Sequence, residues 1–308
     1  MHRRSLLVGY LLTTLAPISV GTGVVATAFL GRYPILTGQG LRYLAGAIIL
    51  LPFAKKHLHR IFSLQLLDLL TLVALSVSGL VVFSVAIVHG VRSASPALVG
   101  DVVGCAPLLI GALEAIFSRR RPSKWIIIGA VFVTLGTTLV SGIGVEGGVG
   151  GLAWALLALL GDALFTLFAT RLLPKVGAYN LAFATTALAA VILLTLGALG
   201  NRTAIPVPSQ HVLLSLVYLA VVVSVGAFLA WFGGLERVPV SNAALFLGLT
   251  PLASLGGQVL VLDYSISRLS LLGTLLVVIG ITVGIAHGAR IHRASTPDDL
   301  NPRRGLES

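Results

Sequence analysis

The sequence predicts an all-α integral membrane protein of ten transmembrane helices, built as two inverted five-helix repeats. Three observations carry that expectation. Of 308 residues, 56% are hydrophobic and 10% are charged, where an ordinary soluble domain carries about 25% charged residues. Apolar runs long enough to cross a bilayer recur along the whole chain, with the charges bunched between them. A segment near the middle recurs near the end at a constant offset. A mean hydropathy of +1.02 and the lack of any long polar stretch exclude a soluble enzyme, a disordered protein and a single-anchor receptor with a large ectodomain. The single cysteine, Cys105, excludes a disulfide framework and a cysteine-based metal site.

A spanning helix needs about 20 mostly apolar residues. Ten segments qualify, at about 5–29, 34–54, 66–88, 94–117, 124–142, 150–171, 177–199, 211–233, 239–261 and 269–287. The runs are continuous, whereas a β-barrel would show alternating segments of about ten residues. The first run, with Arg3 and Arg4 before it and Ala26-Thr27-Ala28 near its end, mimics a signal peptide. It is long for one, and the repeat requires it as a helix. The chain divides at 1–145 and 146–288, and a tail at 289–308 rich in Arg, Ser, Pro and Asp reads as disordered.

Lys and Arg set the orientation. With the N-terminus inside, 16 of the 21 Lys and Arg residues fall on the cytoplasmic side: Arg3, Arg4, Lys55, Lys56, Arg60, Arg119, Arg120, Arg121, Lys124, Arg171, Lys175, Arg237, Arg290, Arg293, Arg303 and Arg304. Arg32, Arg92, Arg202 and Arg268 fall outside, and Arg42 lies within a helix. The split places both termini in the cytoplasm of a multi-pass protein of the cell membrane. It also makes the net charge of +11 a topology signal and not a nucleic-acid footprint. The lipid bilayer is the expected partner.

Residues 107–140 match residues 251–284 at an offset of 144: Pro107 with Pro251, Ser123 with Ser267, Gly129 with Gly273 and Gly136 with Gly280. The same offset sets Tyr10 against Trp154. A duplicated unit of five helices has an odd number of crossings, so the second copy lies upside down. That arrangement is typical of secondary transporters, with the substrate site near the midplane between the halves. The Gly129/Gly136 and Gly273/Gly280 seams suit close helix packing, either within one molecule or between two copies in a homodimer.

Four stretches carry a resemblance to a known family. They are Ala16-Pro17-Ile18-Ser19-Val20-Gly21-Thr22, Leu41-Arg42-Tyr43-Leu44-Ala45-Gly46, Ser95-Pro96-Ala97 leading to Pro107, and Pro239-Val240-Ser241-Asn242-Ala243-Ala244 leading to Thr250-Pro251. In order and spacing, over residues 5–288, the chain resembles the drug/metabolite transporter superfamily in its EamA-type ten-helix branch. One feature departs from it. Where the family often has Leu-Gly-Glu-Arg after helices 4 and 9, this chain reads Ser118-Arg119-Arg120 and Leu262-Asp263-Tyr264. The resemblance implies export of a small organic substrate: an amino acid, a derivative or a drug-like compound.

Ionisable groups inside the membrane are expensive and are functional candidates by default. Asp162 lies roughly 18 Å along helix 6, near the midplane. A carboxyl there suits carrying a proton or binding a cationic substrate group; the structural alternative is a hydrogen-bonded Asp in helix packing. Arg42 and Asp101 lie at equal depth, roughly 10–12 Å below the outer surface, as a structural ion pair, an outer gate, or an Arg for a substrate carboxylate. Glu114 reads as snorkelling to Arg119–Arg121, and Asp68 as interfacial. Pro17, Pro107 and Pro251 remove backbone donors and kink their helices, a device for gating. Asn242, Thr250 and Gln258, eight residues apart, form a polar stripe on helix 9. Tyr10, Trp154 and Trp231 are candidates to pack on an organic substrate or to anchor the interface.

Neither Gly100–Gly104 nor Gly144–Gly151 carries the phosphate-loop pattern, and no His or acid pair has metal-ligand spacing. The sequence therefore predicts neither an enzyme nor a bound cofactor. The expected function is alternating-access transport driven by a gradient, with proton coupling as one form. A non-transporting membrane scaffold and a membrane-embedded enzyme are the rival readings.

Overall fold

In a computed structural model the chain is a helical bundle. The structure describes residues 2–93, 99, 102–118, 124–141, 149–200, 206–262 and 267–294, and no strand occurs among them. The main helices are α1 (His2–Ala28), α2 (Ile35–Ala54), α3 (Leu66–Ser93), α4 (Ala106–Ser118), α5 (Lys124–Ser141), α6 (Val149–Val176), α7 (Ala178–Gly200), α8 (Gln210–Leu235), α9 (Val240–Val261) and α10 (Arg268–Ala294). Among the described residues, eight helices are long and apolar enough to cross a membrane; Val102–Glu114 and Lys124–Leu139 are apolar but shorter. The last helix runs to Ala294, past the expected start of the tail.

The outer surface is apolar. Leu7, Leu11, Leu15 and Ile18 project from one stripe of α1, and Leu271, Leu275 and Val278 from α10. Such faces are normal against lipid and abnormal against water. Hydroxyls inside the helices turn back on the carbonyl one turn earlier, as in Thr14 to Tyr10 (2.8 Å), Thr185 to Leu181 (2.8 Å) and Thr282 to Val278 (2.7 Å). This satisfies those hydroxyls without water, whereas the buried Thr134 and Thr166 hydroxyls find no partner among the described residues.

The two glycine seams meet within one molecule. A Cβ on Gly129 would stand 2.6 Å from the carbonyl oxygen of Gly280, and one on Gly136 would stand 2.6 Å from that of Gly273. The numbering runs in opposite senses, so α5 and α10 cross antiparallel, backbone against backbone. Small residues license that approach. Of the two arrangements the sequence leaves open for the seams, the structure adopts the intramolecular one.

Two helices widen midway. Val77–Val82 in α3 and Leu219–Ala227 in α8 are π-helical turns, a form that appears often at functional sites. Helix α9 is interrupted instead: Val240–Leu245 passes through a tight 3-10 stretch, Phe246–Gly248, into Leu249–Leu262. Pro251 sits in the first turn of this second piece, as Pro107 does in α4 just after a turn at Cys105. Both prolines lie where a missing N–H costs least. The interruption precedes each proline.

The loops joining α1 to α2 and α6 to α7 each contain a glycine with positive φ: Gly31 at 52° and Gly177 at 79°. These are the left-handed positions that a side chain disfavours. From the end of α3, Arg92 donates to the Gly31 and Tyr33 carbonyls, at 2.7 and 3.2 Å. At the end of α8, Glu236 accepts the N–H of Ala178 at 2.8 Å, capping α7 with a negative charge where the helix dipole favours one.

Candidate functional site

Six helices contribute to a central cleft with about 710 Å³ of free space, its mouth included. It lies midway along the bundle. Helix α1 gives Ala16, Pro17 and Val20; α2 gives Arg42 and Tyr43; α3 gives Gly79 and Phe83. Helix α6 gives Asp162 and Phe165, α8 gives Val223, Ala227, Phe228 and Trp231, and α9 gives Leu247 and Thr250; Val103 adds to the wall. Both widened turns thus open onto the cleft. So does the segment of α9 just past its interruption.

Close approach shapes this wall. A Cβ on Gly79 would overlap the Phe165 side chain, and one on Gly21 would meet the Thr250 carbonyl. Glycine at these two positions lets α3 reach α6 and α1 reach α9. Pro17 stands in the interior of α1, where its ring leaves the carbonyl one turn back without a helical donor.

Asp162 is the fourteenth of the 28 residues of α6. Its half-buried carboxyl faces the cleft and forms no hydrogen bond or ion pair with a described residue. Arg42, 8% exposed, is held in place. Its Nε–H donates to Ser224 Oγ at 2.9 Å and an NH1 hydrogen to Gln39 Oε1 at 3.0 Å. The guanidinium also lies 4.9 Å from the Tyr43 ring centre. Beyond Arg42 lies a second, smaller space lined by Gln39, Ser84, Thr27 and apolar neighbours. Arg42 belongs to the walls of both spaces.

The cleft gathers Asp162, Arg42, Thr250, Pro17 and Trp231 from the residues singled out in the sequence. The others stand apart. Asn242 Nδ2 donates to the Tyr10 hydroxyl at 3.3 Å, and the Tyr10 ring packs on Phe246 at 5.9 Å. These close the bundle near the start of α9. Gln258 donates to Ser254 of its own helix at 3.3 Å. The expected stripe of Asn242, Thr250 and Gln258 therefore does not line one space: the 3-10 stretch at 246–248 separates Asn242 from Thr250, and Gln258 lies two turns beyond Thr250 outside the cleft wall. Trp154 stacks on His89 with ring centres 4.6 Å apart. Pro107 borders a groove between α4 and α5, and Pro251 is not part of the cleft wall. Asp101, the expected partner of Arg42, lies outside the described residues, as do Arg119–Arg121.

Two acids make contacts the sequence did not suggest. Glu114 bonds the Ser241 side chain at the start of α9. Asp68, 3% exposed, receives Lys175 Nζ at 2.6 Å on each oxygen, with Arg171 Nε at 3.7 Å. This cluster ties α3 to the end of α6 at the lysine-rich end of the bundle. The aromatic walls Tyr43, Phe83, Phe165 and Phe228, and the tether Ser224, were also missed. Gly79 was the one available sign, a small residue in an otherwise bulky run. Among the described residues no three His, Cys, Asp or Glu side chains gather as a metal cluster would require.

A family model described as EamA-like transporter family matches the chain twice, over residues 7–142 and 149–285. The chain is 25% identical over 238 residues to "Uncharacterized transporter YetK" of Bacillus subtilis (strain 168), covering 75% of this chain and 72% of that one. It is 25% identical over 221 residues to an "Uncharacterized transporter" of Archaeoglobus fulgidus, covering 70% and 77%. A solved crystal structure superimposes with a TM-score of 0.74 at 20% identity, over 93% of this chain and 99% of the other. That last likeness is one of fold.

Proposed function

From the premise that the chain belongs to the EamA-like transporter family, we propose that this multi-pass membrane protein is a secondary transporter of a small organic compound. It works by alternating access to the central cleft and exports its substrate from the cytoplasm, with Asp162 carrying the coupling proton. The observation that carries this reading is Asp162 itself: a carboxyl halfway along a spanning helix, facing a cavity and left unpaired by the described residues. Stability alone gives no reason to keep such a group, whereas a proton relay or a substrate contact does.

The proposed architecture is ten spans in two inverted halves, 1–145 and 146–288, with both termini cytoplasmic. Several pairs of features support it. The family model matches once in each half. Gly273 and Gly280 stand 144 positions after Gly129 and Gly136, and exchanging the halves swaps the contact Gly129–Gly280 with the contact Gly136–Gly273. The two π-helical turns fall in the third helix of each half. Glu236 stands 144 positions after Arg92, and each reaches back to the loop between the first two helices of its own half. An inverted pair of halves has two alternative packings related by exchange, which is what alternating access requires. In the orientation set by the positive charges, the Asp68–Lys175–Arg171 cluster lies on the cytoplasmic side, where it joins α3 to α6.

The test is a thermal-shift screen of purified protein in detergent against metabolites and drug-like compounds at several pH values. A ligand that binds only the folded state raises its midpoint by mass action. The proposal expects a hit whose shift changes with pH in the natural protein and loses that dependence in Asp162→Asn. A hit with the same pH dependence in Asp162→Asn removes the coupling role from this residue.

A further inference from the structure

Arg42 is a buried cation with no acidic partner among the described residues. Its two recorded acceptors, Ser224 Oγ and Gln39 Oε1, are both neutral. A guanidinium has five N–H donors, so the two tethers fix the plane of the group and leave three donors without a partner among the described residues. Asp162 shares the cleft but forms no ion pair with it. A charge at this depth that no described acid pairs is costly, and the tethers hold it at the boundary of two cavities instead of letting it reach the surface.

We infer that Arg42 is the anchor of a carboxylate subsite between the central cleft and the second chamber, and that its ligand is an organic carboxylate with an apolar, ring-sized body. A planar carboxylate takes a guanidinium through parallel bonds; with Nε–H given to Ser224 and one NH1 hydrogen to Gln39, NH2 and the second NH1 hydrogen are the donors left for it. The body is set by the rest of the wall, where Phe83, Phe165, Phe228 and Trp231 face the same space. That wall is mainly apolar and aromatic, which suits an organic body and not a bare inorganic anion. That the bound carboxylate is also carried across the membrane rests on the transporter reading; the subsite itself does not.

The test compares matched pairs: benzoate with benzyl alcohol, 3-phenylpropionate with 3-phenylpropan-1-ol, and indole-3-acetate with 2-(indol-3-yl)ethanol. Binding is followed by calorimetry on the purified full chain. The expected result is at least a tenfold preference for the acid in one or more pairs, abolished in Arg42→Gln with the alcohol's affinity unchanged. Ser224→Ala, which removes one tether and keeps the charge, should weaken the acid and leave the alcohol alone; it serves if Arg42→Gln does not fold. Equal binding of acid and alcohol in every pair, or no binding of any acid, overturns the inference. So does a thermal stabilisation by sodium chloride with none by the acids. Flux of the preferred acid into liposomes is a separate readout. An acid preference without flux would leave the subsite standing and sink the transporter reading.

Discussion

Asp162 and Arg42 stood out in the sequence because a charge in an apolar run has no cheap explanation. Their neighbours did not. Tyr43, Phe83, Phe165 and Phe228 read the same whether they face lipid, a neighbouring helix or a cavity, and only the packing of six helices decides. Thr250 joins the cleft while Asn242 and Gln258 do not, although all three share one helical spacing. The glycines of the loops make a simpler case. A Cβ on Gly177 would find nothing nearer than Glu236 Oε1 at 3.9 Å, so its constraint is the backbone alone. Gly177→Ala should cost about 1–2 kcal/mol, read as a lower thermal midpoint, and Gly177→Asn should cost less, because Asn tolerates the left-handed region. Equal midpoints for all three would mean that the loop relaxes.

Helix positions were legible because apolar length is a strong signal, and eight described helices satisfy it. The discontinuities were not. The prolines at 107 and 251 were expected to kink continuous helices, but they sit in the first turns of new pieces. The π-helical turns at Val77–Val82 and Leu219–Ala227 have no proline at all. The first of them carries a tertiary contact, Gly79 against Phe165, which one helix alone does not contain. Two element-scale predictions follow from packing and charge. Gly136→Ala should push α5 from α10 and destabilise by about 1–3 kcal/mol through overpacking, measured as a drop in thermal midpoint; an unchanged midpoint would refute the backbone contact. For the pair tying α3 to α6, Lys175→Met should destabilise more than the double variant Asp68→Leu/Lys175→Met, because the single change leaves a buried carboxylate with only the longer Arg171 contact at 3.7 Å. A double variant at least as unstable as the single would refute the penalty for stranding the carboxylate.

At the scale of the whole molecule, the offset of 144 residues is the most informative signal in the chain. Glycine pairs that were only a spacing in the sequence meet across the α5–α10 crossing, and the widened helices and capped loops occur once in each half. The sequence could not show where the seams would meet, since an intramolecular and an intermolecular contact demand the same small residues. Nor could it pair Asp68 with Lys175, which are remote in sequence and meet only when α3 packs on α6. Orientation remains a reading from charge. Labels at both ends of the chain in intact cells should be inaccessible from outside and become reactive on permeabilisation; an accessible terminus would reverse or break the proposed topology.

The most direct test of a proton-coupled transporter is flux. The compound giving the largest thermal shift would be loaded into liposomes bearing the full chain, with a pH gradient imposed across the membrane. The expected result is release that accelerates with the gradient in the natural protein and ignores it in Asp162→Asn, while that variant still binds the compound. Gradient-sensitive release that survives Asp162→Asn would contradict the coupling role, and the absence of any protein-dependent release would contradict transport itself.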